Sequence, residues 1–196
     1  MTHHVYTTEG FVLGRTRTGE ASAYISLYTK DFGLIRATAR SVREEKSKLR
    51  YSLQDFSYCS VSLVRGRDVW RITGAVEHHS IYHQLNKEPE KLALFVRITR
   101  LLQRLVQGEE KNIELFELLQ ATVSALERSP ANTDLLKNLE YIAVLRMLST
   151  LGYIRRSREL EEAFAIPLDI SELSRITPLQ QRIVGEINRA LHESHL

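Results

Sequence analysis

The sequence predicts an α+β protein, with a small β-barrel in its first part and a helical domain behind it. Apolar residues alternate with a period of two up to about residue 80, and from about Pro89 they follow the spacing of one helical face. The charge divides in the same place, since the first 80 residues carry 12 Lys/Arg and 8 Asp/Glu while the remainder carries 15 and 16. We therefore predict two domains, residues 1–82 and residues 83–196, of which only the first is basic.

Five short strands are predicted in the first domain. They alternate apolar with polar residues, as half-buried antiparallel strands do. Residues 30–33 are typical of a tight hairpin connection in which Gly33 takes a positive φ, and Arg65–Asp68 indicates the turn before the last strand. Five strands are too few for a two-sheet sandwich but can close a small twisted barrel, so we predict a five-stranded OB-fold β-barrel. The predicted strands are residues 11–18, 21–30, 34–42, 54–64 and 68–77, with 43–53 as the long connection.

The second domain is predicted to be α-helical. Its apolar residues recur at helical spacing in five segments, separated by loops that include Gly108, Pro130 and residues 165–176. Gly152 is placed to end the third helix, and Thr177-Pro178 is typical of an N-cap followed by a proline at the first helical position. The first predicted helix runs from about Pro89 to the neighbourhood of Gly108, and the others are residues 113–126, 135–151, 157–164 and 178–192.

Composition argues against several functional classes. No apolar run approaches the roughly 18 residues needed to cross a membrane, and residues 1–6 lack the layout of a secretory signal, so we expect a cytoplasmic protein. The single cysteine, Cys59, cannot form an internal disulfide and is typical of a packing residue. No Walker-type glycine loop or Gly-x-Ser-x-Gly motif is present, and His78 and His79 would point to opposite faces of a strand. We expect a protein that is not an enzyme and has no metal and no cofactor.

Basic residues concentrate on the third predicted strand and on the connection after it. Six of them fall within the 15 positions from 36 to 50, and Tyr24 and Tyr28 share the polar face of the neighbouring strand. Cations that follow a phosphate backbone, beside rings on which bases stack, are what single-strand binding requires. The candidate DNA-binding residues are Arg15, Arg17, Tyr24, Tyr28, Arg36, Arg40, Arg43, Lys46, Lys48, Arg50 and Arg67.

Plainer interpretations stay open beside this one. A charge run is often only a solvated loop, and Glu44 and Glu45 partly neutralise this one. Tyr24 and Tyr28 could be packing residues. In a second hypothesis the protein is an interaction module whose basic barrel binds acidic protein tails. Salt separates the two hypotheses, because phosphate contacts make the logarithm of affinity fall steeply with the logarithm of salt concentration.

An ordered series of motifs resembles the RecO family of recombination and repair mediators. Gly10–Leu13, Gly19-Glu20 and Tyr28–Leu34 look like the opening of that family. Ala39–Arg43 with Lys46–Leu49 is similar to its basic signature after the third strand. Leu53–Ser57 and the Arg65–Asp68 turn continue the match, so the specific part covers about residues 10–80. Beyond it the similarity is mostly a helical pattern.

The resemblance implies an OB-fold followed by a helical domain, and binding of single- and double-stranded DNA. It also implies annealing of complementary strands and assistance in recombinase loading with a RecR-like partner. Some members of the family also bind the acidic tail of single-strand-binding protein through the C-terminal domain. Carried to matching positions, it implies DNA contacts by Arg40, Arg43, Lys46 and Lys48, whereas Arg36 and Arg67 are added from pattern alone.

One departure concerns the zinc motif that many members carry after a Gly-Tyr pair. Here Gly152-Tyr153 is followed by Ile154–Glu159, which contains no cysteine, so a zinc site of that form is excluded. The C-terminal region also looks shortened relative to the family, and the sequence leaves open whether it keeps the family's partner contacts.

Overall fold

The structure is a computed structural model that describes residues His4–Ser194 and divides into two compact units. The first unit comprises the residues up to Gln84 together with Gln107–Ile113, and the second comprises Leu85–Val106 and the residues from Glu114 onward. Residues 1–3 and 195–196, the outermost parts of the two predicted domains, lie outside the described residues.

Five strands close the barrel that the sequence predicts. In barrel order they run β1-β2-β3-β5-β4, and β4 pairs in turn with β1. All neighbours are antiparallel except β3 and β5, which run parallel where Ala37 pairs with Trp70. Apolar side chains such as Val12, Ile25 and Leu63 fill the interior. The strands are β1 (Val5–Thr18), β2 (Ser22–Thr29), β3 (Gly33–Ala39), β4 (Ser57–Arg65) and β5 (Trp70–Ser80).

A β-bulge in β1 changes which side chains face the barrel interior. Val12 pairs with the core residue Leu27, but the register shifts between Val12 and Gly14. Because one extra residue reverses the alternation, Arg15 and Arg17 then pair with Ile25 and Ala23, which belong to the core face. The end of β1 therefore directs two arginines along the inner side of the β1–β2 hairpin.

The segment Gln107–Ile113, which we call the strap, packs on the barrel. Lys111 Nζ lies 2.9 Å from Asp31 Oδ1, and Glu109 pairs with Arg65. Gly33 has the predicted positive φ, 64°, and a Cβ built there would lie 2.1 Å from the Glu110 carbonyl oxygen. Glycine is thus required at this position both by the turn and by the close approach of the strap.

Helices make up the second unit, as predicted. No helix in the described part of the chain is long and apolar enough to span a membrane. Gly152, at φ 82°, follows α5 as the predicted helix end. Its main helices are α3 (Pro89–Leu105), α4 (Ile113–Arg128), α5 (Thr133–Thr150) and α7 (Gln180–Glu193), and α6 (Glu161–Ala165) is a short one. Two short helices that were not predicted occur earlier in the chain: α1 (Leu49–Ser52) in the first unit and α2 (Ile81–Leu85) at the boundary between the two units.

The last helix begins differently from the sequence prediction. Thr177 and Pro178 lie inside a 3₁₀ helix, Leu173–Leu179, and α7 starts only at Gln180. The Thr177 hydroxyl accepts a hydrogen bond from the buried amide of Asn138 on α5 instead of capping α7. Asn138 also donates to the Leu173 carbonyl at 2.9 Å and accepts from Gln180 at 2.6 Å. A buried polar contact on a distant helix therefore replaces the local cap.

Candidate nucleic-acid interface

The basic connection after β3 is anchored to the barrel at both ends. Val42 and Leu53 are buried in the barrel core, and the Arg43 amide donates to the Ala21 carbonyl at 3.0 Å. Between these anchors the chain carries its cations outward and forms the single turn of α1. The connection is therefore held against the β1–β2 hairpin.

Four arginines from the hairpin and the connection line one depression, which we call the basic groove. Its volume is about 460 Å³. Arg15 Nε donates to Asp55 Oδ1 at 2.9 Å, and the Arg43 guanidinium reaches the Gly19 carbonyl at 3.5 Å. Guanidinium groups offer bidentate forks to phosphate oxygens, so this lining suits a polyanion. The lining residues are Arg15, Arg17, Ala23, Val42, Arg43, Arg50, Gln54 and Asp55.

A second group of candidates lies on the outer face of the barrel. The Arg36 guanidinium carbon lies 4.1 Å from the centroid of the half-buried Tyr24 ring, so the two planar groups form a cation–π contact. Thr38 pairs with Tyr24 on β2 and with Arg71 on β5. We call Tyr24, Arg36 and Arg71 the outer strip; it presents two cations and one ring.

Arg71 was missed by the sequence analysis. Its position between Trp70 and Ile72, both buried, indicates an outward side chain. Alternation along β5 could have shown that much. Its place beside the outer face of β3 follows only from the parallel β3–β5 pairing, which has no local sequence signal.

Tyr28 is a correction to the predicted site. Its side chain is fully buried, whereas a ring that stacks on bases must be accessible. In register it lies opposite Phe11, which is also buried, and its hydroxyl approaches the carbonyl of Asn112 in the strap at 3.5 Å. Burial raises the pKa of the phenol above its ordinary value. Tyr28 is a packing residue of the outer barrel face, which is the plainer of the two interpretations left open.

The other four candidate residues are exposed, but they do not all lie near the basic groove. Arg40, Lys46 and Lys48 lie in or beside the connection, near the basic groove end of the barrel. Arg67 lies in the β4–β5 turn. That turn is beside the start of β1, because Val64 pairs with Val5, and is thus at the opposite end of the barrel from Arg17.

Cys59 is a packing residue, as predicted. It is fully buried in the barrel core, and its thiol approaches the Gly10 carbonyl at 3.7 Å. Burial raises the pKa of the thiol to about 12, so the reactive thiolate is absent at neutral pH.

His78 and His79 do not separate onto opposite faces as expected. A register shift between β4 and β5 at this point lets both rings approach Tyr58, with centroid distances of 5.4 Å. Within the described residues, no cluster of three histidine, cysteine or acidic side chains is arranged to hold a metal ion.

Two family models match the chain. One, Recombination protein O N terminal, covers residues 1–80, and the other, Recombination protein O C terminal, covers residues 86–157. The short gap between the two matches lies where the strands end and the helices begin.

Curated relatives agree with the family models. A protein of Dehalococcoides mccartyi, named DNA repair protein RecO, is 31% identical over 156 residues, which is 80% of this chain and 60% of the relative. Proteins of the same name from Thermodesulfovibrio yellowstonii and Alkaliphilus metalliredigens are 32% and 30% identical, over 76% and 62% of this chain and 58% and 49% of their own lengths. The chain thus spans less than two thirds of the length of these relatives. With both family models and these relatives in agreement, the chain belongs to the RecO family.

Proposed function

We propose that this chain is a non-enzymatic DNA-binding protein of recombination and repair, which binds single and double strands, anneals complementary strands and assists recombinase loading. The observation that carries the proposal is the basic groove, where four arginines line one depression of the barrel. Such a site neutralises successive phosphates without reading sequence. Neutralisation also lets two complementary strands approach each other, which annealing requires.

The outer strip supplies a second kind of contact in this proposal. Tyr24 and Arg36 already stack on each other, so a base could stack on the same platform without first ordering either side chain. The groove would hold the backbone, and the strip would hold the bases of an unpaired strand.

Partners belong to the same proposal. The names of the relatives place them in DNA repair, and family membership favours a RecR-like partner and the acidic tail of single-strand-binding protein, in the cytoplasm. In the helical unit, a cavity of about 300 Å³ is lined by Arg146, Arg156, Phe164 and Leu168 among others. Arg146 and Arg156 are the candidate contacts for an acidic tail, which would have to displace Glu114 from Arg156 and pass Glu117 in the same lining.

The test is a fluorescence anisotropy titration of a labelled single-stranded oligonucleotide at several salt concentrations. Arg17→Gln combined with Arg43→Gln should weaken binding and reduce the slope of log affinity against log salt by about 1.4, since each phosphate contact on a single strand contributes about 0.7. Tyr24→Leu should weaken binding with no change in slope. A matched control is Arg155→Gln with Arg158→Gln, which removes two exposed arginines from the helical unit and should leave binding unchanged.

Binding that is absent at low salt, or that falls no further for the groove variant than for the control, would end the proposal. A shallow salt dependence with strong binding of acidic peptides would favour the interaction-module hypothesis instead. Arg40→Glu with Lys46→Glu extends the test to the exposed connection.

A further inference from the structure

We propose that Asp55 is an internal competitor for phosphate at Arg15, and that this competition limits the affinity and lifetime of the DNA complex. The proposal rests on the function proposed above and concerns the same basic groove.

The groove arginines differ in what already occupies them. Arg15 is bound to Asp55 through Nε at 2.9 Å, and both side chains are partly exposed, at 33% and 48%. Arg17 and Arg50 make no side-chain hydrogen bond or ion pair with any residue that the structure describes. Among the described residues that line the groove, Asp55 alone carries a carboxylate. Arg15 is therefore the groove arginine that already has a carboxylate on one edge of its guanidinium group before DNA binds.

Carboxylate and phosphate oxygens accept hydrogen bonds from the same N–H edges of a guanidinium group. A side-on bidentate phosphate contact at Arg15 uses the Nε edge, which Asp55 holds. A phosphate that takes this edge must displace the carboxylate, and the released negative charge then repels the phosphate that displaced it. Binding at this position is an exchange of one anion for another, with less net gain than at Arg17.

Asp55 cannot move far from the groove after displacement. Leu53, two residues before it, is fully buried, and the amide of Phe56, the next residue, donates to the Val12 carbonyl at 2.9 Å. The carboxylate is thus tethered within reach of Arg15 and can recapture it as soon as the phosphate shifts. A protein that anneals strands must release them afterwards. Recapture of Arg15 by Asp55 speeds dissociation and so shortens the lifetime of the DNA complex.

The decisive variant is Asp55→Asn, which keeps the size of the side chain and removes its charge. We expect affinity for a single-stranded oligonucleotide to rise about two- to fivefold, the range of one exposed ion pair, mainly through slower dissociation in a competition chase. Asp55→Glu should keep the native affinity. Asp68→Asn, which removes the same charge from the exposed β4–β5 turn, should also leave affinity unchanged.

A double-mutant cycle with Arg15→Gln separates direct competition from general electrostatics. The gain from Asp55→Asn should shrink when Arg15 is already replaced. An equal gain in both backgrounds, or no gain while the native chain binds normally, would overturn the proposal and leave the proposed function standing. If neither the native chain nor Asp55→Asn binds at low salt, the proposed function fails and this proposal with it.

Discussion

Replacing Gly33 by alanine should destabilise the barrel more than replacing Gly19 by alanine, although both glycines have nearly the same backbone conformation. Their φ values are 64° and 59°, and an alanine in this left-handed region costs about 1–2 kcal/mol. A Cβ on Gly19 meets nothing within 4 Å, whereas a Cβ on Gly33 would lie 2.1 Å from the Glu110 carbonyl oxygen. The comparison therefore isolates the packing of the strap.

The extra cost follows from the contacts that the strap would lose. Backbone cannot rotate away as a side chain can, so the strap must shift by roughly 1 Å to reach ordinary contact distance. That shift weakens the pairs Lys111–Asp31 and Arg65–Glu109, each about 0.2–1 kcal/mol for exposed groups. We expect a total loss of about 2–4 kcal/mol for Gly33→Ala, against about 1–2 kcal/mol for Gly19→Ala.

Urea unfolding of both variants measures the difference, and amide exchange locates it. Peptides from the strap should exchange faster in Gly33→Ala and at the native rate in Gly19→Ala. Equal losses of stability, or unchanged exchange in the strap, would show that the strap does not press on the β2–β3 turn and would refute the reasoning.

Three further predictions concern single buried or paired groups. Asn138→Ala should destabilise the helical unit by about 2–4 kcal/mol in urea unfolding, since it leaves the Leu173 carbonyl and the Gln180 amide without their partner. Asp31→Asn should make the free energy of unfolding less dependent on pH in the acid range. Hydrogen bonds from Lys111 and Thr8 hold the pKa of Asp31 in the folded protein below its usual value. The stability that Asp31 contributes is therefore present above its pKa in the unfolded chain and is lost as the pH falls through its pKa in the folded protein. An unchanged pH dependence in the acid range would contradict this. Cys59 should stay inert to a thiol reagent at pH 8 and react only after unfolding, because burial raises its pKa to about 12; rapid labelling of folded protein would contradict it.

The sequence predicted the strands well where alternation is local. All five were found, and the hairpin at Gly33 has the predicted positive φ. The missed parts depend on distant partners. Residues 5–9 of β1 pair only with β4, and the parallel contact between β3 and β5 joins segments more than 30 positions apart. Neither is visible in a local window.

The sequence predicted which residues are candidates for the site better than it predicted how they are arranged. Exposure of Arg36 on β3 follows from alternation and is confirmed. Tyr28 has the same alternation but is buried, because position on a polar face does not say whether another segment covers it. Arg15 and Arg17 were candidates only because the first strand was expected to lie near the basic segment. A β-bulge of one residue, which no pattern in the sequence predicted, directs them into the groove.

In the proposed function, that bulge also separates two kinds of DNA contact on one small barrel. It directs Arg17 into the basic groove, while Tyr24, on the neighbouring strand, stays on the outer face with Arg36. Contacts to phosphates depend on salt, and stacking depends on unpaired bases. Groove variants should therefore weaken single and double strands alike with a change in salt slope, whereas Tyr24→Leu should weaken single strands alone at constant slope. If both variants lower the two affinities in the same proportion, the groove and the outer strip act as one surface and the separation is wrong.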